Sequence, residues 1–146
     1  MSTNWQVVYD LRLREQEEAK IRVQETRLGE EKTLASLNQV LSFLSEYKLS
    51  LSQLEAEGAP IATIIRTRAA IKQLAESAAQ QEQLLVQLSF VLQQNERYLI
   101  ECSAKLRAVE KLQDNAVQSQ RRLRQVAEAK ELDEMARRQY MANLST

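Results

Sequence analysis

Apolar residues recur at alternating spacings of three and four along most of the chain. The longest such series runs through Ile71, Leu74, Ala78, Gln81, Leu85, Leu88, Leu92, Asn95, Leu99, Cys102, Leu106 and Val109, interrupted by polar side chains only at Gln81 and Asn95. A mean spacing of about 3.5 residues, held over several heptads, marks a helix that supercoils left-handedly around a partner helix. A second series, Leu34, Leu37, Leu41, Leu44, Leu51 and Leu54, lies upstream of it. Between the two stands Glu57-Gly58-Ala59-Pro60, which holds the single proline and one of the two glycines; the other is Gly29. Inside a helix proline costs about 3 kcal/mol and glycine about 1 kcal/mol relative to alanine, so so few of either leave few places to turn. The pattern predicts an all-α chain: a helix over residues 3–57, a bend at 58–60 and a helix over 61–143. Together these form one coiled-coil domain over residues 1–146.

Neither seam is stable on an isolated helix. Burial of a leucine gains roughly 1.5–3 kcal/mol, set against about 1–2 kcal/mol of backbone entropy for every residue ordered. The short break favours folding back into a long antiparallel hairpin, with Pro60 in the first turn of the second helix, where its missing N–H has no partner to lose. Counting helical rise outward from the bend, residue i faces roughly residue 118 minus i. Trp5 then lies opposite about Gln113, and the rest of the second helix overhangs. That overhang carries apolar residues at Leu123, Val126, Leu132 and Met135. A free amphipathic helix of this kind is a surface for another protein. The start of the first helix reads differently. From Arg12 to Lys32 it is dense in charge, with Leu13, Ala19, Ile21, Val23 and Leu28 as its apolar candidates, which predicts loose packing. Glu18 and Arg22 have i,i+4 spacing for a helix-stabilising pair, and Thr3 with Gln6 has the spacing of a capping box.

Composition narrows the function. Lys plus Arg and Asp plus Glu each number 20, which gives no net charge to draw the chain to nucleic acid or an anionic membrane. Arg121, Arg122 and Arg124 form a basic group, but without interleaved aromatics or a nucleic-acid-binding module, and no nucleic acid is expected. No apolar run approaches the roughly 20 residues that span a bilayer. The N-terminus lacks an apolar signal-peptide core, so a cytoplasmic chain is expected. There is no histidine, and the aspartates are Asp10, Asp114 and Asp133. No glycine-rich loop offers to cradle a phosphate and no His/Cys cluster to bind zinc, so neither an enzyme nor any metal or other cofactor is expected. Cys102 lies on the seam and reads as a small buried apolar filler. Gln81 and Asn95 read as polar residues that fix register at some cost in stability.

One cluster stands apart. Val40, Phe43 and Tyr47 repeat at three and four, one position behind the leucine series. Two readings are open for this row: the edge of the core, or an aromatic row that anchors a partner.

Four segments in order carry a family resemblance. They are Val8-Tyr9-Asp10-Leu11-Arg12-Leu13-Arg14-Glu15 followed by Glu17-Glu18-Ala19, then Phe43-Leu44-Ser45-Glu46-Tyr47-Lys48 with Leu51. After the bend come Glu110-Lys111-Leu112 and Lys130-Glu131-Leu132-Asp133-Glu134-Met135-Ala136-Arg137-Arg138. Through them the chain resembles the FliJ family of bacterial flagellar type III export proteins over almost its whole length. The resemblance implies a cytoplasmic antiparallel coiled-coil hairpin, peripheral at the inner membrane, that links the hexameric export ATPase to the export gate and escorts substrate chaperones. It places gate binding on Val40, Phe43, Tyr47 and Leu74, with Ser36, Ala70, Ser77 and Gln81 in the remaining positions of that strip. Ala70 stands where the family can carry a bulky aromatic. The ATPase side falls on the overhang, at Arg121, Arg122, Arg124, Leu132 and Met135. A stalk protein of the related injectisome and a generic coiled-coil spacer are the competing readings.

Overall fold

A computed structural model of the chain describes residues 2–145, with side chains from residue 4 onward. Two helices account for the described residues, α1 (Ser2–Glu57) and α2 (Ile61–Leu144). They pack against each other as an antiparallel hairpin without strands. The helices therefore start and end within one residue of their predicted bounds. The Thr3 side chain of the expected capping box lies outside the described residues. Its partner Gln6 reaches forward instead, donating from Nε2 to Asp10 Oδ1 at 3.1 Å.

The reversal is a Schellman turn. Gly58 adopts φ +68°, its N–H donates to the Glu55 carbonyl at 3.4 Å, and the Ala59 N–H donates to the Leu54 carbonyl at 3.0 Å. These two bonds satisfy carbonyls that the end of a helix leaves free. Pro60 then caps α2 from just outside it, because its carbonyl accepts from Thr63 N–H at 3.0 Å and Ile64 N–H at 3.3 Å. It precedes the first helical residue rather than occupying the first turn.

The chain falls into two compact units, residues 16–101 and residues 1–15 with 102–146. In the first unit the seam of α2 holds every expected position from Ile71 to Leu99 buried or half-buried. The seam of α1 departs from expectation. It runs through Ala19, Val23, Thr26, Glu30, Thr33, Leu37, Val40, Leu44, Leu51 and Leu54, with Tyr47 at a position of the same period but exposed, whereas Leu34 and Leu41 are off it and exposed. Heptad arithmetic explains the choice. Continuing the period of Leu34 and Leu41 would drive Lys48 and Glu55 into the interface. The period of Leu54 instead brings in Tyr47, Val40 and Thr33. The charged arm is also tighter than expected, since Ala19 and Val23 are among the most buried residues of the unit while Ile21 and Leu28 face outward.

Cross-helix contacts fix the alignment of this unit. Asn95 Nδ2 donates to Thr26 Oγ1 at 3.0 Å, Arg27 pairs with Glu96 at 3.1 Å and Arg68 with Glu55 at 2.8 Å. Each partner lies a few residues further along α2 than counting rise from the bend places it. The Schellman turn carries the chain beyond the end of α1 before it reverses, so the first turn of α2 is used in coming level. Asn95 is thus satisfied within the interface. Gln81 Oε1 and Glu30 Oε2 are buried without a hydrogen-bond partner, and such a group costs about 1–3 kcal/mol. Arg22 does not pair with Glu18. Its guanidinium lies over the Tyr98 ring, 5.9 Å from the centroid.

In the second unit Cys102, Leu106 and Val109 are buried on α2, and Tyr9, Arg12 and Leu13 of α1 are half-buried. Arg12 and Glu15 form an ion pair at 3.0 Å within α1. Beyond Gln113, α2 is exposed at every described residue.

The two glycines give opposite expectations. A Cβ added at either would meet nothing within 4 Å, so the backbone alone sets the sign. Gly58→Ala should destabilise the hairpin by about 1–2 kcal/mol through its left-handed conformation. Gly29→Ala, inside α1, should stabilise it by about 1 kcal/mol. Thermal melts followed by circular dichroism check this, and shifts of the same sign would contradict the turn described.

Candidate functional site

In the unit of residues 16–101, Phe43 and Tyr47 of α1 and Ala70, Gln73, Leu74 and Ser77 of α2 line an open groove of ≈ 470 Å³. A smaller adjoining hollow of ≈ 320 Å³ is lined by Phe43, Glu46, Tyr47 and Ser50. Phe43 and Tyr47 each remain 42% exposed, an arrangement suited to anchoring a partner with an aromatic row.

The groove brings together Phe43, Tyr47 and Leu74 of the strip singled out in the sequence, along with Ala70 and Ser77. It leaves out Val40, which lies half-buried on the seam, and the strip residues Ser36 and Gln81. The two readings of the aromatic row thus divide by residue. Val40 is core, Phe43 is flank, and Tyr47 stands at a seam position with its ring turned to the groove. Gln73, Glu46 and Ser50 also line these hollows, and sequence reasoning missed them. The signal was present in their spacing, since Gln73 follows Ala70 by one helical turn, as Glu46 follows Phe43.

The two flanks of this unit differ in chemistry. Arg27 and Glu55 stand a whole number of heptads apart on α1, as do Arg68 and Glu96 on α2, so both cross-helix ion pairs lie on one flank. Phe43 and Arg22 are likewise related by heptads, and so are Ser77 and Tyr98. The groove and the Arg22–Tyr98 contact therefore share the other flank. In this unit one flank carries both cross-helix ion pairs beside the exposed Leu34 and Leu41, and the other carries the aromatic groove without such pairs.

The other unit carries the remaining candidates. Arg121, Arg122, Arg124, Leu132 and Met135 are all exposed. Their spacing does not make one amphipathic face with Leu123 and Val126. The step of six residues from Val126 to Leu132 crosses to another side of the helix, which turns about 100° per residue. Two faces result. Leu123 continues the line of Leu106, Val109 and Gln113. Arg121, Arg124, Leu132 and Met135 share a separate face with Val117 and Glu128, at steps of three and four. Arg122 falls off that face.

Among the described residues no group of His, Cys, Asp or Glu is placed to hold a metal ion. Cys102 is a free, buried thiol, and no helix is long and apolar enough to cross a membrane. Comparison with protein families matches residues 1–145 to the family described as Flagellar FliJ protein. No curated protein and no solved structure matches the chain.

The division between core and flank predicts unequal costs. Val40→Ala should lower stability by about 1 kcal/mol, from the half-buried methyl groups lost. Phe43→Ala should change it by no more than about 0.5 kcal/mol. Urea unfolding of the two variants decides this. A larger loss at Phe43 than at Val40 would return the phenyl ring to the core.

Proposed function

Since the chain belongs to the FliJ family of flagellar proteins, we propose that it is a non-enzymatic stalk of the flagellar export apparatus, joining the export ATPase hexamer to the export gate. The observation that carries the gate half is the open groove, in which Phe43 and Tyr47 meet Leu74 on the flank without cross-helix ion pairs. Exposed aromatics beside small residues give a partner large contact area at little cost in side-chain entropy. Both helices contribute to the groove, so it exists only when the hairpin is formed.

The ATPase half rests on the exposed C-terminal part of α2. A helix exposed at every residue draws little stability from packing and gains it by docking. Arg121, Arg124, Leu132 and Met135 on one face supply two guanidinium groups and two flexible apolar side chains. Arginine matches carboxylates and carbonyls of surrounding loops with a rigid set of donors. Arg122, on another face, serves a loop approaching from that side, as the central opening of a hexamer provides. Escort of substrate chaperones and a peripheral place at the cytoplasmic face of the inner membrane follow from the same assignment.

Two variants separate the halves. A chain truncated after Asp114 should keep its melting temperature within a few degrees, yet lose binding to the export ATPase and stimulation of its ATP hydrolysis. Full stimulation by the truncated chain would move that contact elsewhere. Phe43→Ala should bind the ATPase normally and weaken binding to the cytoplasmic part of the gate by at least about tenfold, the loss expected of an interface anchor.

A further inference from the structure

The groove at Phe43 is one end of a longer strip. Stepping by heptads from the Arg22–Tyr98 contact, Gly29 comes beside Val91, Ser36 beside Leu84 and Phe43 beside Ser77. The last of these pairs lies at the groove itself, which both residues line. Leu84, Val91 and Tyr98 are 43%, 41% and 42% exposed. On α1 the facing positions Gly29 and Ser36 are too small to cover Leu84 and Val91. The register thus implies a furrow between the helices, with apolar side chains on one wall and almost none on the other, whose Phe43 end is the groove already described.

Its outer rim on α2 is uncharged. Gln73, Gln80, Gln87 and Gln94 repeat every seven residues and all are exposed. Gln73 lines the groove, which places the whole row along this flank. Charged residues are depleted in the cores of protein interfaces, and a row of neutral amides beside a heptad-spaced apolar row leaves an approaching helix no unpaired charge to desolvate. The rim on α1 carries Glu46, in the hollow with Phe43 and Tyr47. Glu46 pairs with no cation among the described residues. A carboxylate between two aromatic rings suits the ammonium or guanidinium of a long side chain, whose stem covers the rings while its charge meets Glu46.

We propose that this flank binds a third helix, laid along the furrow from Tyr98 to Phe43. The bound helix carries an apolar stripe, an uncharged edge toward the glutamine row and a lysine or arginine that lands on Glu46. The proposal rests on the reading of the Phe43 groove as the gate-binding site, and adds the form and charge of what binds there. Specificity comes from the contrast between the flanks, because the hollow on the opposite one, of ≈ 270 Å³, is lined by Arg27, Glu30 and Glu31 beside Leu34 and Leu92, and the Arg27–Glu96 and Arg68–Glu55 pairs stand along it.

A synthetic amphipathic helix of about four heptads tests it directly, with leucine along one stripe, glutamine on one edge and a single lysine on the other. Titrated into the full chain and followed by calorimetry, it should bind. Val91→Glu and Leu84→Glu should each weaken it by about tenfold or more, and Glu46→Lys by several-fold, while Leu41→Glu on the other flank leaves it unchanged. All four positions are exposed, and circular dichroism verifies that each variant keeps its helicity. A peptide that fails to bind, or binds equally to Val91→Glu and to wild type, overturns the third-helix proposal. The same variants are then titrated with the cytoplasmic part of the gate. Gate binding lost with Phe43→Ala but untouched by Val91→Glu and Leu84→Glu leaves the gate reading standing and overturns the longer site. Peptide binding that depends on Val91, with gate binding indifferent to Phe43, supports the longer site and overturns the gate reading.

Discussion

The seam of α2 needs a partner along nearly all of its paired length, and this constraint organises the rest of the chain. Positions at steps of three and four from Ile64 to Gln113 are all buried or half-buried, and a stripe of that period stays in contact only with another helix wound around it. That helix is α1, and the connection is short enough that it must run antiparallel. Gly58 makes the reversal possible because its left-handed backbone closes the end of α1 with two hydrogen bonds. Once the turn is set, the alignment of both helices is set with it.

Polar residues within the seam refine that alignment at some cost. The Asn95–Thr26 hydrogen bond is formed only when these two residues lie level, so a slipped pairing would strand a half-buried amide. Gln81 and Glu30 contribute no such bond through their buried oxygens. A hairpin of leucine alone would pack more strongly and align less uniquely, and the mixed seam trades some stability for one register.

What remains outside the seam divides into surfaces of different chemistry. Cross-helix ion pairs cover one flank of the unit of residues 16–101, and such exposed pairs contribute little to stability. The other flank exposes Phe43, Leu84, Val91 and Tyr98 beside small residues and glutamines, without cross-helix ion pairs. In the other unit, the face shared by Arg121, Arg124, Leu132 and Met135 is likewise uncovered. The proposed linking role needs exposed faces of this sort, and the chain keeps them off the seam.

The helix bounds, the single reversal, the seam of α2 and the burial of Cys102 were all legible in the sequence. Each follows from local physics: proline and glycine forbid helix at one place, and the apolar period names the buried line. The family assignment was legible as well, in segments whose order survives around the bend. The seam of α1 was not. Leu34 and Leu41 look like core by residue type, and although their line runs into Lys48 in the sequence, it is the packing against α2 that leaves both exposed. The loose arm expected before Lys32 failed for the same reason, because Ala19 and Val23 are small, and a small residue counts as core only where a partner helix comes close. Likewise, the sequence marked Val40, Phe43 and Tyr47 as one row, and the fold divided it between the seam and the groove. Local chemistry determines where a helix runs, whereas which side of it is buried is decided by the partner that covers it.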